Sequence, residues 1–382
     1  MGKIAPTNQI VLVLQGGGAL GAYQAGVYEA LAGSPYIPHW VAGVSIGAIN
    51  AALIAGNPPH RRVARLREFW HRVSARLVLP KPEQAALRTA FNGYSAWLGA
   101  SLGVPGFYRW RSLYELIGQD AALSFYDTTP LRHTLEELID FDLLNSGIVR
   151  LSLGAVNVRT GRSVYFDSTE CEIRPEHIMA SGALPPAFAP VEIGGELYWD
   201  GGIACNTPLL YVLERHPADR IQVVLQVDLF SAGGEVPANI GEVLTRHKDI
   251  QYASRTRFNT EMIARLENLQ MAVRDLIEQL PARQRALPKV SEILSLCQAG
   301  HSNIVQLIYQ PPAPYTLESK DYEFSRASIE MRWASGRDDL QTALEHPEWL
   351  MPTKHNAAVT TFDLQRNPVP GDSNRRDDHA ST

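Results

Sequence analysis

The sequence predicts an α/β protein with a mainly parallel central sheet, followed by a mostly helical C-terminal extension. Residues 8–56 read as strand, glycine loop, helix, strand, serine turn and helix, and further apolar strand segments follow. A βαβα order of this kind is typical of a parallel sheet whose functional residues lie at the carboxyl ends of its strands. From about residue 233 the chain becomes charged and helical, with long helical stretches over 240–280 and 323–345.

The first predicted strand, residues 10–14, runs into a loop that contains Gly16, Gly17, Gly18 and Gly21. A helix is predicted directly after it, from Ala22 to about Ala32. A glycine-rich loop between a strand and a helix allows backbone N–H groups to converge on an anion. The spacing also fits the dinucleotide fingerprint GxGxxG, but no acidic residue ends the second strand, and no Walker-type Gly-Lys-Ser/Thr follows. The remaining interpretation is an oxyanion hole.

The second strand-to-helix junction carries Ser45 between Gly43 and Gly47. A serine in such a tight, strained turn presents its hydroxyl to solvent, and the following helix directs its N-terminal amides toward it. The alternative is an ordinary tight junction with a solvated serine, because GxSxG by itself is a weak signal.

A candidate general base lies far downstream, where residues 194–200 read as a hairpin and a strand that ends in Asp200. Gly201 and Gly202 follow and permit close backbone approach. Asp200 is the natural partner for a serine hydroxyl that needs a base. The alternative is a structural Asp-Gly turn.

The ordered motifs GGGALG, GVSIG and DGG resemble those of the patatin-like phospholipases, lipid acyl hydrolases that use a Ser–Asp dyad. Residues 180–188 also resemble the stretch that precedes the aspartate in that family. The resemblance covers about residues 8–230 and implies a patatin-like three-layer sandwich. The extension resembles that of one bacterial subgroup.

By this resemblance, Ser45 would be the nucleophile and Asp200 the general base. The backbone amides of Gly17, Gly18 and Ala19 would form the oxyanion hole. Many family members carry Arg or Lys in the glycine loop. This chain has Ala19 and Leu20 there, so its loop offers no cation to an anionic head group.

An α/β-hydrolase with a catalytic histidine is the competing interpretation of GxSxG. In that fold the serine turn comes after several strands, and the histidine follows the acid. Here the turn closes the second predicted strand. The histidines after Asp200 lie outside strand-end loops: His216 precedes Pro217, and His247 lies in a charged helical stretch. The sequence therefore favours a dyad.

Three functions remain open at this point. The first is a lipid acyl hydrolase that transfers an acyl group to Ser45 and then to water, with transient contact to a membrane surface. The second is a soluble esterase or thioesterase for small or hydroxyacyl esters. The third is a non-catalytic scaffold that binds lipid in the same cleft.

Composition narrows the class of partner. The chain has 382 residues and a net charge of −5, which argues against nucleic acid. Its three cysteines match no pairing motif, and no signal-peptide pattern is visible, so a cytoplasmic location is expected, with peripheral contact to membranes left open. Ligand spacing for a metal is absent from the sequence, so we predict neither metal nor cofactor. A homo-oligomer is left open.

The predicted organisation is an acyl hydrolase domain over 8–232, a mostly helical extension over 233–351 and a disordered tail over 352–382. Two segments have alternative interpretations. Residues 60–79 predict a basic amphipathic helix that either packs on the core or lies on anionic lipid. The aromatic stretch 91–118 either walls an acyl pocket or is irregular packing.

Overall fold

The computed structural model describes residues 8–74, 94–95, 99, 101–112, 115–116, 123–215, 221–297, 301–310, 320–350 and 358–364. The strands are β1 (Asn8–Leu14), β2 (Trp40–Val44), β3 (Arg109–Trp110), β4 (Tyr126–Asp127), β5 (Arg150–Asn157), β6 (Ser163–Asp167), β7 (Val191–Ile193), β8 (Glu196–Asp200), β9 (Ile221–Asp228), β10 (His301–Ile308) and β11 (Val359–Asp363). The main helices are α1 (Ala22–Ala32), α2 (Ile46–Ala55), α3 (Pro59–Val73), α4 (Thr129–Leu138), α5 (Phe141–Asn145), α6 (Pro175–Ser181), α7 (Leu209–Glu214), α8 (Ile240–Glu278), α9 (Ala282–Arg285), α10 (Pro288–Leu296), α11 (Arg326–Leu344) and α12 (Pro347–Leu350).

The central sheet has the strand order β11-β10-β9-β1-β2-β5-β8-β7, and β6 pairs with β5 beside this path. Neighbouring strands run parallel from β11 to β5. Strands β6, β7 and β8 form the antiparallel end. The predicted α/β class with a mainly parallel sheet is confirmed.

Strand β1 shows why the molecule has three layers. Ile10, Leu12 and Leu14 belong to the larger apolar cluster, which also contains the buried residues of α1, α2 and α3. The alternate residues, Val11 and Val13, belong to a second cluster that includes side chains of α7 and α8. Because successive side chains of a strand point to opposite faces, the sheet is covered by helices on both sides.

The predicted extension is joined to the sheet rather than separate from it. Strand β10 pairs with β9 along its length, and β11 pairs with β10. The prediction of disorder over 352–382 is therefore wrong for residues 359–363, which form β11; residues 351–357 and 365–382 lie outside the described part. The polar residues of β11 fit an edge strand, where one side faces solvent. The proposed domain boundaries stay a prediction.

Helix α11 of the extension packs directly on α1, which follows the glycine loop. A Cβ atom on Gly26 would lie 1.9 Å from the carbonyl oxygen of Trp333, and one on Gly336 would lie 2.0 Å from that of Tyr23. Only glycine permits this approach. The Trp333 indole also donates to Glu29, at 2.8 Å.

Helix α3 contains the basic segment predicted over 60–79; the part beyond residue 74 lies outside the described residues. Leu66, Phe69 and Trp70 on its apolar face are fully buried. On its polar face, Arg67 pairs with Glu29 and Glu330. This agrees with a surface helix packed on the core.

Of the described helices, none is long and apolar enough to cross a membrane.

Candidate active site

Ser45 occupies the turn between β2 and α2 with φ 57° and ψ −123°. Within the described residues it is the single non-glycine residue with positive φ. Such a conformation is strained for a residue with a Cβ atom and is typical of functional turns. The backbone N–H of Ser45 donates to the carbonyl and hydroxyl oxygens of Ser181, both at 3.1 Å. The turn is therefore held from outside as well.

The two glycines that flank the serine are required by close packing. A Cβ atom on Gly43 would lie 2.3 Å from the carbonyl oxygen of Gly47. One on Gly47 would lie 2.4 Å from the carbonyl oxygen of Leu14. Strand β2, helix α2 and the end of β1 thus meet backbone to backbone, which explains the GxSxG spacing.

Asp200 ends β8 and is 2% exposed. It lines the same pocket as Ser45, and its carboxylate accepts a hydrogen bond from the backbone N–H of Gly202, at 2.7 Å. Burial raises the pKa of Asp200 to about 6, and the nearby Ser45 side chain and the Gly202 amide oppose that rise. The structure thus brings together the two residues that the sequence singled out.

The glycine loop lies beside this pair. The N–H of Gly16 donates to the carbonyl of Asn206, at 3.1 Å, and the Asn206 side-chain amide donates back to the carbonyl of Gly16, at 2.9 Å. Gly18 has a φ of 55°. Within the part of the chain that the structure describes, the amides of Gly17 and Gly18 donate to no other protein group.

Ala19 differs from the prediction. Its N–H, which the resemblance assigns to the oxyanion hole, donates to the carbonyl of Asp321 at 2.7 Å. An amide proton held at that distance is not free for an oxyanion. The candidate oxyanion donors are therefore reduced to Gly17 and Gly18.

The other motif glycines are also close-packed. A Cβ atom on Gly21 would lie 2.6 Å from Ile46, and one on Gly201 would lie 2.5 Å from the carbonyl of Gly154. A Cβ atom on Gly202 would lie 2.7 Å from the side-chain oxygen of Asn206. These positions shape the backbone around the serine and the aspartate.

A pocket with an interior volume of about 100 Å³ opens above Ser45 and Asp200. Most of its wall is apolar or aromatic. Besides the glycine loop, Ser45, Asp200 and Gly202, the lining residues are Ile46, Ile49, Phe107, Tyr108, Gly182, Leu184, Ala187, Phe188, Asn206, Phe230, Lys248, Tyr252, Asp321, Tyr322 and Phe324. Phe107 and Tyr108 lie in the aromatic stretch 91–118, so this part of it walls the pocket; Phe91, Trp97 and Tyr114 lie outside the described residues.

Several of these pocket residues were missed by sequence reasoning. Lys248, Tyr252 and Asp321 come from the extension, and Asn206 follows the DGG motif. The Lys248 ammonium lies 2.5 Å from the Asp321 carboxylate, so the charged groups here form an ion pair. No motif in the sequence marks them, because their place depends on how distant elements pack.

None of the described residues that line the pocket is a histidine. His247 lies on α8, and His216 is outside the described residues.

The fold and this site together define an α/β protein with a serine turn at the end of a parallel strand. The family model for patatin-like phospholipase matches residues 12–213, more than half of the chain, so the protein belongs to the patatin-like phospholipase family. A second model, described as patatin phospholipase, matches residues 250–356, which is most of the predicted extension and the first residues of the predicted tail. The resemblance found from the motifs is confirmed, and the family is one of lipid acyl hydrolases.

One of the similar solved structures is VipD from Legionella pneumophila, with 16% sequence identity and a TM-score of 0.37. The match covers 90% of this chain and 67% of that one. The comparison with curated proteins gives no match.

Proposed function

We propose that the protein is a serine hydrolase of lipid carboxylic esters, with Ser45 as nucleophile and Asp200 as general base. The observation that carries the proposal is that Ser45, in its strained turn, and the buried Asp200 carboxylate line one pocket whose wall is mostly apolar, and that the Ser45 side chain lowers the pKa of Asp200. A serine hydroxyl is a weak nucleophile and needs a base within hydrogen-bond reach.

In the proposed reaction, the Ser45 oxygen attacks the ester carbonyl while its proton passes to Asp200. The negative charge on the carbonyl oxygen is stabilised by the amides of Gly17 and Gly18. The alcohol leaves with a proton from Asp200, and water then hydrolyses the acyl-enzyme by the same route. A carboxylate is a weaker base than an imidazole, so the preorganised amides carry a large share of the rate; removal of one such donor typically costs about 10²–10³ in kcat.

A second candidate, an esterase for short acyl groups, is favoured by the pocket size. A cavity of about 150 Å³ is enough to hold benzene. The interior here is about 100 Å³, which suits a short acyl segment more readily than a complete fatty acyl chain. The cytoplasmic location expected from the cysteines and the transient contact with a membrane surface belong to the first proposal, the hydrolase of lipid esters.

The test uses a fluorophosphonate probe and a series of esters that differ in acyl length. We expect wild-type protein to be labelled at Ser45, and Ser45→Ala to be unlabelled and inactive. Rates that rise sharply once the substrate forms micelles or vesicles support the lipid hydrolase, whereas activity limited to soluble short esters supports the second candidate. If folded wild-type protein is not labelled at Ser45, neither hydrolase is supported, and the non-catalytic scaffold that binds lipid is favoured.

A further inference from the structure

Arg332, on helix α11 of the extension, is a buried cation at the back of the glycine loop. Arg332 is 4% exposed, and its guanidinium donates to three carbonyl oxygens. These belong to Ala19 at 3.1 Å, Glu323 at 2.8 Å and Lys320 at 2.8 Å. The Glu323 carboxylate lies 3.6 Å from the guanidinium. One side chain thus joins the loop to the segment 320–323.

The segment 320–323 also contacts the glycine loop directly. The carbonyl of Asp321 accepts the N–H of Ala19 at 2.7 Å, so both backbone polar groups of Ala19 are bound by the extension. The preceding residue, Gly18, is held just as closely: a Cβ atom there would lie 2.3 Å from the same Asp321 carbonyl. Gly18 carries one of the two amides that remain free for an oxyanion.

The position of Arg332 is itself fixed. Helix α11 packs on α1 through Gly26 and Gly336 without space for side-chain atoms between the backbones. The Tyr23 hydroxyl donates to Asp339 at 2.6 Å across the same contact. The loop, the helix that follows it and the helix that carries Arg332 therefore form one packed unit.

We propose that Arg332 is a positioning residue that sets the direction of the Gly17 and Gly18 amides, so that the extension completes the oxyanion hole. The inference rests on the proposed function, because it concerns the same donors. Oxyanion donors are effective when they are held in place before the reaction. A displacement of about 1 Å can cost on the order of 10² in rate. The extension, whose role the sequence left unassigned, thereby becomes part of the catalytic machinery.

The test compares Arg332→Met and Arg332→Lys with Arg326→Met. Arg326 lies on the same helix and donates to Ser74 and to the carbonyl of His71, so it ties α11 to α3 without touching the loop. Lysine keeps the charge but cannot reach three carbonyls with one planar group. The fraction of active protein is determined by titration with the fluorophosphonate, and folding by circular dichroism and Tm.

For Arg332→Met we expect kcat to fall about 10- to 100-fold with KM nearly unchanged, and for Arg332→Lys a smaller fall. Affinity for a trifluoromethyl ketone, whose hemiketal oxyanion needs the same donors, should weaken in parallel. Arg326→Met should match wild type in kcat, in KM and in affinity for the ketone. A loss of stability alone would lower the active fraction but leave kcat per titrated site unchanged.

If Arg332→Met does not fold, Arg332→Lys decides the matter. A folded Arg332 variant whose kcat and inhibitor affinity equal those of Arg326→Met overturns the inference. If Ser45→Ala keeps full turnover, the proposed function itself is wrong. An inactive Ser45→Ala beside fully active Arg332 variants overturns only the role of Arg332.

Discussion

Ser45 and Asp200 line the same pocket although the strands that carry them are not neighbours in the sheet. Ser45 follows β2, Asp200 ends β8, and β5 lies between these strands. Strand β5 is parallel to β2 but antiparallel to β8, and Ala155 of β5 is in register with Asp200. The pair therefore forms where the parallel part of the sheet meets its antiparallel end.

The raised pKa of Asp200 predicts a pH profile. Below about pH 6 the carboxyl group is protonated and cannot accept the Ser45 proton. We expect kcat/KM to fall about tenfold per pH unit below this value and to level off above it. The measurement is the pH dependence of kcat/KM for a neutral ester between pH 4.5 and about 9.

Asp228→Asn is the matched control for that profile. Asp228 is also buried, and its pKa is raised to about 7 by burial, but it does not line the pocket. Its removal should leave the inflection near pH 6 in place. With wild-type protein, an inflection that stays near pH 6 when the ester is changed belongs to the enzyme and not to the substrate. If that inflection then moves or vanishes in Asp228→Asn, Asp200 is not the titrating base.

The same burial has a consequence for stability. A carboxyl group whose pKa is raised in the folded state stabilises the fold below its unfolded pKa, and this contribution is lost as pH rises through about 6. At pH 8, wild type carries the cost of a buried charge. Asp200→Asn should therefore be more stable than wild type at pH 8, by on the order of 1–3 kcal/mol, and should show no such advantage at pH 4. Urea unfolding at both pH values measures the difference; lower stability of the variant at pH 8 contradicts it.

How far the sequence leads can be seen from individual residues. Ser45, Asp200 and the glycine loop were identified because each lies in a short motif whose backbone demands glycine nearby. The engagement of Ala19 by Asp321, and the place of Arg332, were not predictable, because they depend on packing between elements about 300 positions apart. Strand β11 was missed because its residues lie in a polar stretch that predicts a disordered tail, and they form a strand by pairing with β10.

The strained turn at Ser45 predicts a difference between two inactive variants. Both Ser45→Ala and Ser45→Gly remove the nucleophile, but alanine keeps a Cβ atom at φ 57°. A strained backbone of this kind costs on the order of 1–3 kcal/mol, part of which is offset by the greater unfolded-state freedom of glycine. We expect Ser45→Gly to be about 1 kcal/mol more stable than Ser45→Ala in urea unfolding. At an ordinary helical position such as Ala30 of α1, glycine should instead destabilise. If Ser45→Gly is instead less stable than Ser45→Ala by as much as glycine costs at Ala30, the turn holds no strain.

The close contact at Gly47 predicts that this glycine is needed for folding as well as for activity. A Cβ atom there would lie 2.4 Å from the carbonyl oxygen of Leu14 and 2.9 Å from that of Gln15, which are backbone atoms at the end of β1. The clash should lower the Tm of Gly47→Ala by several degrees. Because residues 14 and 15 directly precede the glycine loop, it should also displace the proposed oxyanion donors and reduce kcat in the protein that still folds. Gly33→Ala is the control, since its φ is −86° and its added Cβ would meet only the Ala30 carbonyl at an ordinary 3.6 Å. That variant should keep full activity and gain about 0.5 kcal/mol. If Gly47→Ala and Gly33→Ala have the same Tm and kcat, β1 and α2 can move apart enough to accommodate a Cβ atom, and the close contact does not explain the glycine at position 47.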